Sequence, residues 1–142
     1  ELWKPAEVRT IEIAREKLRR RFPQIHFHVC TVMLPDEASL PVFGFWLLNV
    51  CPLSVGETAD DRAWTILLLL NARDGRAAVV PGYAAERWLG DKEWTKALQA
   101  MASHWKAGGS ARAVVRFFAA AAALLDASWK LRGLRRAQRS HT

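Results

Sequence analysis

Apolar positions along this chain alternate between helical and extended periods, and their order predicts a small α/β domain. Between Pro5 and Arg21, Val8, Ile11, Ala14 and Leu18 recur at helical spacing with charges between them, an amphipathic helix that Pro23 ends. His26 to Leu34 is rich in β-branched and aromatic residues and predicts the first strand. Ser39, as an N-cap with Pro41 in the first turn, opens an apolar helix reaching about Val50. Cys51 to Ala59 reads as a loop. Thr65 to Leu70 is apolar without a break, as expected of a strand covered on both faces at the centre of a sheet. Asp74-Gly75 suits a tight type I′ turn, after which Ala77 to Val80 returns as the third strand. A short helix is expected from Tyr83 to Leu89. A longer one is capped by Asp91 and carries Trp94, Leu98, Met101 and Trp105 as a stripe. Gly108-Gly109 breaks the chain, and Ser110 opens a last helix through Val114, Phe117, Ala121, Leu124 and Leu125.

In this order the first two strands, joined through a helix, can lie parallel, and the last two form an antiparallel hairpin. The expected fold class is therefore α/β: a three-layer αβα sandwich, with a small mixed sheet, a central β-hairpin and helices on both faces. At 142 residues, 51% hydrophobic and 25% charged, the chain fits one globular domain. Its boundaries read as residues 1–126, with 127–142 as a basic C-terminal tail. The sequence holds seven tryptophans, most of which must form or cover the core.

The net charge of +7 matters less than its placement. Residues 1–21 carry seven Lys/Arg against four Glu, residues 126–142 carry five against Asp126, and the middle of the chain is neutral. A groove-lining nucleic-acid surface would place basic residues on the core elements as well, so this distribution argues against nucleic acid as a partner. In the tail, Trp129, Leu131 and Leu134 alternate with Lys130, Arg132, Arg135 and Arg136, a pattern that suits contact with anionic lipid. The best apolar run, Phe117 to Leu125, is about half the ~20 residues a bilayer crossing needs. No signal-peptide pattern opens the sequence, and a start at Glu1 rather than Met reads as a processed or excised form. Cys30 and Cys51 are the two cysteines. They could pair in an oxidising compartment or stand as two buried thiols.

Candidate chemistry gathers at the hairpin. With Asp74-Gly75 as the turn, Leu70 faces Val79 and Leu67 faces Gly82, so Gly82-Tyr83 returns beside the start of the central strand. Asp60 and Asp61 lie just outside that start, and Glu86 and Asp91 lie just beyond Tyr83. Four carboxylates at one sheet edge suit a hard cation, Ca²⁺ or Mg²⁺, which prefers oxygen ligands. Alternatively, Arg62 and Arg87 pair with these acids while Asp91 caps its helix. His26 and His28 alternate on a strand and could share a face, but no third zinc ligand of suitable spacing accompanies them. His104 and His141 look like surface residues. No Gly-x-Ser-x-Gly elbow and no phosphate-cradling glycine loop occurs. Gly108-Gly109-Ser110 opens a helix N-terminus that could hold an anion or serve only as a turn.

In their order, Asp60-Asp61-Arg62, Thr65 to Leu70, Gly82-Tyr83-Ala84, Glu86, Leu89-Gly90-Asp91 and Trp105 to Ser110 resemble the TPM domain family, over roughly residues 7 to 126. The resemblance implies an αβα sandwich, often exported (periplasmic, for instance) or membrane-anchored, associated with divalent-ion binding and with a claimed acid-phosphatase activity. Glu86 and Asp91 match the family's acidic positions, and Asp60 or Asp61 its Asn-Asn position. Ala63, Ala84 and Gly109 depart from residues of the pattern, and the last removes an acid. The expected function is a non-catalytic interaction domain with a protein partner at a membrane. Gly82, Tyr83, Trp129, Arg135 and Arg136 are its candidate binding residues. The alternative is a metal-dependent phosphatase using Asp60, Asp61, Glu86 and Asp91.

Overall fold

A computed structural model describes residues 3–35, 37–50, 56–72, 75–87 and 89–140, with backbone alone for 103, 104, 106–108 and 131–140. Its elements in chain order are α1 (Pro5–Arg21), β1 (His26–Val32), α2 (Leu40–Val50), α3 (Ala59–Ala63), β2 (Thr65–Asn71) and β3 (Ala77–Pro81). A 3₁₀ turn (Ala85–Arg87), α4 (Asp91–Gly108) and α5 (Ser110–Ser140) follow. The sheet order is β1-β2-β3, parallel between the first pair and antiparallel in the hairpin. The mixed αβα sandwich expected from the sequence is the observed fold.

The unbroken apolar run of β2 is explained by its central place, since every residue from Thr65 to Asn71 is buried. On one face, Ile66, Leu68 and Leu70 pack with residues of α1, α4 and α5; Phe117, Val114, Met101 and Trp94 form the bulk of that core. On the other face, Leu67 and Leu69 pack against α2, through Leu40 and Leu48. Two polar residues are buried at the ends of β2. Thr65 donates its hydroxyl to the Asp61 carbonyl at 2.8 Å. Asn71 clamps Leu34, accepting from its N–H at 3.2 Å and donating to its carbonyl at 3.1 Å. A buried amide with both ends satisfied fixes where β1 leaves the sheet.

The hairpin register differs from the expected one. Leu67 pairs with Val80 and Leu70 with Ala77, so each residue of β2 meets a partner two positions earlier than a two-residue turn would give. The Gly75 N–H donates to the Asn71 carbonyl at 2.9 Å and the Asn71 N–H to the Arg76 carbonyl at 2.8 Å. With Gly75 at φ 76°, this is a bulge in which Gly75 and Arg76 together oppose Asn71. Asp74 lies outside the described residues.

Other boundaries shift too. A short helix, α3, follows the expected loop. The N-cap of α4 is Gly90 rather than Asp91, with the Gly90 N–H donating to Glu93 at 3.0 Å. The expected helix from Tyr83 to Leu89 shortens to the 3₁₀ turn. The last helix does not end near Leu125 but runs to Ser140. It lies parallel to α1. Trp3 Nε1 donates to Ser110 Oγ at 2.8 Å where both begin, and Arg21 Nε donates to Asp126 Oδ1 at 3.0 Å where α1 ends. Among the described residues no helix is long and apolar enough to cross a membrane.

Candidate functional site

Gly82 closes the junction between β3 and the start of β2. Its N–H donates to the Thr65 carbonyl at 2.7 Å, the Ala84 N–H to the Ala63 carbonyl at 3.0 Å, and the Glu86 N–H to the Gly82 carbonyl at 3.0 Å. A side chain has no room there, because a Cβ would lie 2.4 Å from the carbonyl oxygens of both Arg62 and Ala63. The glycine lets two backbones touch. Tyr83, the next residue, is turned outward and is 67% exposed.

Beside this junction is a cleft of about 420 Å³ between the end of α2, α3 and the Gly82 turn. Phe45, Leu48, Pro81 and Tyr83 supply apolar walls, and Asn49, Arg62 and Glu86 polar ones. Arg62 bridges the rim, donating from Nη1 to the Asn49 carbonyl at 3.3 Å and lying 3.5 Å from the carboxylate of Glu57.

The four predicted carboxylates take separate places. Asp60 is exposed on α3, next to cleft-lining Ala59, and Glu86 lines the cleft. Asp61 completes a capping box. It accepts from the Thr58 N–H at 3.1 Å while its own N–H donates to Thr58 Oγ1 at 3.1 Å. Hydrogen bonding to its carboxylate from the Thr58 backbone, then from the Thr58 side chain, holds the Asp61 carboxyl below the usual range, with a smaller push from His26. Asp91 is exposed as the first residue of α4 and does not line the cleft. Among the described residues no three His, Cys, Asp or Glu side chains gather where they could hold a metal ion.

His26 stands 3.5 Å from Asp61. His28 follows on the same face of β1. Burial, then the charge of Arg15, pushes His28 below the ordinary imidazole value, and Glu57 partly opposes the shift. The sign of the consequence follows. The unfolded chain binds this proton more readily than the folded one, so the stabilisation is complete above the unfolded value of about 6.5 and is lost as pH falls below it. The melting temperature is expected to decline as the pH falls below about 6.5, and His28→Gln should flatten that segment of the curve. An unchanged slope in the variant would assign the decline elsewhere.

Cys30 is a half-buried thiol whose value burial pushes up. Cys51 lies outside the described residues, as do His141 and the side chain of His104. Ser110 spends its hydroxyl on Trp3. Trp129 sits half exposed on α5, and Arg135 and Arg136 follow on the same helix, their side chains outside the described residues.

A larger feature went unread in the sequence. Helix α2 carries no charged residue and buries Leu40, Gly44 and Leu48, while Val42, Phe45, Trp46 and Val50 stand exposed along its outer side. A helix apolar all round normally implies cover on all sides. Here α1, α4 and α5 pack on the opposite face of the sheet, so α2 has the sheet beneath it and an apolar stripe outward.

Comparison with known proteins gives the fold alone. No family model matches the chain, and no curated protein does. Several solved structures share the architecture, two of them as follows. One is the N-terminal domain of a protein from P. gingivalis, with a TM-score of 0.66 and 21% identity over 89% of this chain and 78% of that one. The other is the BA42 protein of the psychrophilic bacterium Bizionia argentinensis, with a TM-score of 0.66 and 13% identity over 90% of this chain and 84% of that one.

Proposed function

We propose that this chain is a non-catalytic interaction domain of an exported or membrane-associated protein, TPM-like in architecture, whose outer α2 face and adjoining cleft seat an apolar segment of a partner protein. The observation that carries it is the stripe of Val42, Phe45, Trp46 and Val50 on an uncharged helix, continued into the cleft by Tyr83. Contiguous exposed apolar surface of this kind marks contact sites, and aromatic anchors dominate their energetics.

The charge of the rim favours one kind of occupant. Glu86 in the cleft and exposed Asp60 beside it would repel an anionic bilayer and would attract a segment flanked by Lys or Arg. The cleft is concave and offers directional polar groups, which suits side chains of a partner. The alternative phosphatase would use the same edge, but there Asp61 is committed to Thr58 and His26, and Asp91 stands outside the cleft lining.

Fluorescence anisotropy with a short apolar peptide flanked by lysines, against the same peptide flanked by glutamates, tests this. The lysine form is expected to bind more tightly, and Phe45→Ser to weaken it about tenfold or more. Equal binding of the two peptides, or binding indifferent to Phe45→Ser, would sink the proposal.

A further inference from the structure

Helix α5 changes character along one of its sides. As far as Leu125 the side facing the core is Val114, Phe117, Phe118, Ala121 and Leu125, all buried. Continued at the same three- and four-residue spacing, that side next holds positions 128, 132, 135, 136 and 139, four of which are arginine: Arg132, Arg135, Arg136 and Arg139. The helix goes on past the end of α1 for residues 127–140, about 21 Å at the rise of an α-helix. These residues include Lys130 and those four arginines, and no acid.

A second element adds to the same pole. Helix α1 ends beside Asp126, where α5 leaves the domain, and its last turn is Arg19, Arg20 and Arg21. Glu16 pairs with Arg19 and Arg20, and Asp126 with Arg21, so two acids answer three arginines there. The sequence of the extension carries no acid of its own. Arg20 remains 77% exposed even while paired. The pole therefore has a formal excess of six positive charges: eight Lys/Arg against Glu16 and Asp126.

We infer that this cationic pole, the last turn of α1 with the arginine stripe of α5, is a docking surface for the anionic headgroups of a lipid bilayer. It rests on the membrane association proposed above, but it is a different surface from the α2 face. Guanidinium forks match phosphate oxygens in pairs. Trp129, half exposed where the extension begins, suits the headgroup boundary, where indole rings collect. By helical period Leu134 lies off the arginine stripe and Leu131 borders it, four residues before Arg135. Nucleic acid is the less favoured anion, because the elements between the termini carry no excess of positive charge to line a groove.

Co-sedimentation of the full chain with extruded vesicles tests the inference, using phosphatidylcholine alone or mixed with phosphatidylserine, and with duplex DNA as a competing arm. Binding is expected only with the anionic lipid and should weaken as salt is added. The combined Arg132→Gln, Arg135→Gln, Arg136→Gln and Arg139→Gln variant is expected to lose on the order of a hundredfold in partitioning. The matching Arg→Lys set should keep most of it, and both should melt like the parent. Equal binding to neutral vesicles, an unaffected glutamine variant, or tighter retention on DNA than on vesicles at physiological ionic strength would overturn the inference. The α2 proposal fails separately. If Phe45→Ser abolishes vesicle binding while the arginine variant keeps it, lipid docks on α2 and both proposals fall.

Discussion

Replacing Gly82 by alanine is expected to destabilise the domain by about 3 kcal/mol, at the high end for overpacking. The added methyl meets two carbonyl oxygens at 2.4 Å rather than a side chain that could turn aside. Both oxygens belong to the end of α3, which is tied into the sheet by the same junction. Thr65 receives the Gly82 N–H and Ala63 the Ala84 N–H. Moving either backbone breaks these bonds. A fall in melting temperature of about 10 °C is the corresponding readout for a domain of this size. Tyr83→Ala, one residue along and exposed, should change stability by no more than about 0.5 kcal/mol. If Gly82→Ala were as mild, the close approach of the two backbones would be wrong.

Phe117→Ala is expected to cost more, about 4 kcal/mol. The ring is fully buried on α5, stacked on Trp94 with centroids 6.2 Å apart and edge-on to Phe118 at 5.9 Å. Its removal leaves a cavity that two flanking rings cannot fill. Such a loss approaches the whole stability of a marginal domain, roughly 5 kcal/mol at the lower end. The denaturation midpoint should fall while the denaturant slope stays unchanged. Phe45→Ala is the informative comparison. The same side chain, 65% exposed on α2, should be removable for about 0.5 kcal/mol or less.

That contrast also shows what was legible in the sequence. Buried stripes announced themselves through period. The run Thr65 to Leu70 could only be a covered strand, and Trp94, Leu98, Met101 and Trp105 marked one side of α4. The parallel and antiparallel pairings followed from connection length and turn residues. The register did not, because Asp-Gly serves both a two-residue turn and the start of a glycine bulge. The two differ by two positions of pairing.

Site chemistry was less legible for a physical reason. Sequence order placed Asp60, Asp61 and Glu86 near the Gly82 junction; of these Glu86 lines its cleft, and Asp60 is exposed on α3 just after cleft-lining Ala59. It could not show that Thr58 would enlist Asp61 as a helix cap, nor that Arg62 would turn to Asn49 and Glu57. The exposed face of α2 was hidden for the opposite reason. Phe45 and Trp46 look like core in a helix without charges, and only the placement of α1, α4 and α5 on the other side of the sheet leaves them outside. The reach of α5 was missed because its apolar stripe stops at Leu125, while arginines such as Arg132 and Arg135 carry the helix on without it.

The most direct test of the interaction surface is photo-crosslinking in cells, with benzoylphenylalanine placed at position 45 on α2 or at position 96 on the exposed side of α4. The predicted result is a discrete protein adduct from position 45, absent from position 96, whose crosslinked peptide is apolar with flanking Lys or Arg. No adduct from position 45 above that from position 96, or an adduct to lipid alone, would contradict it.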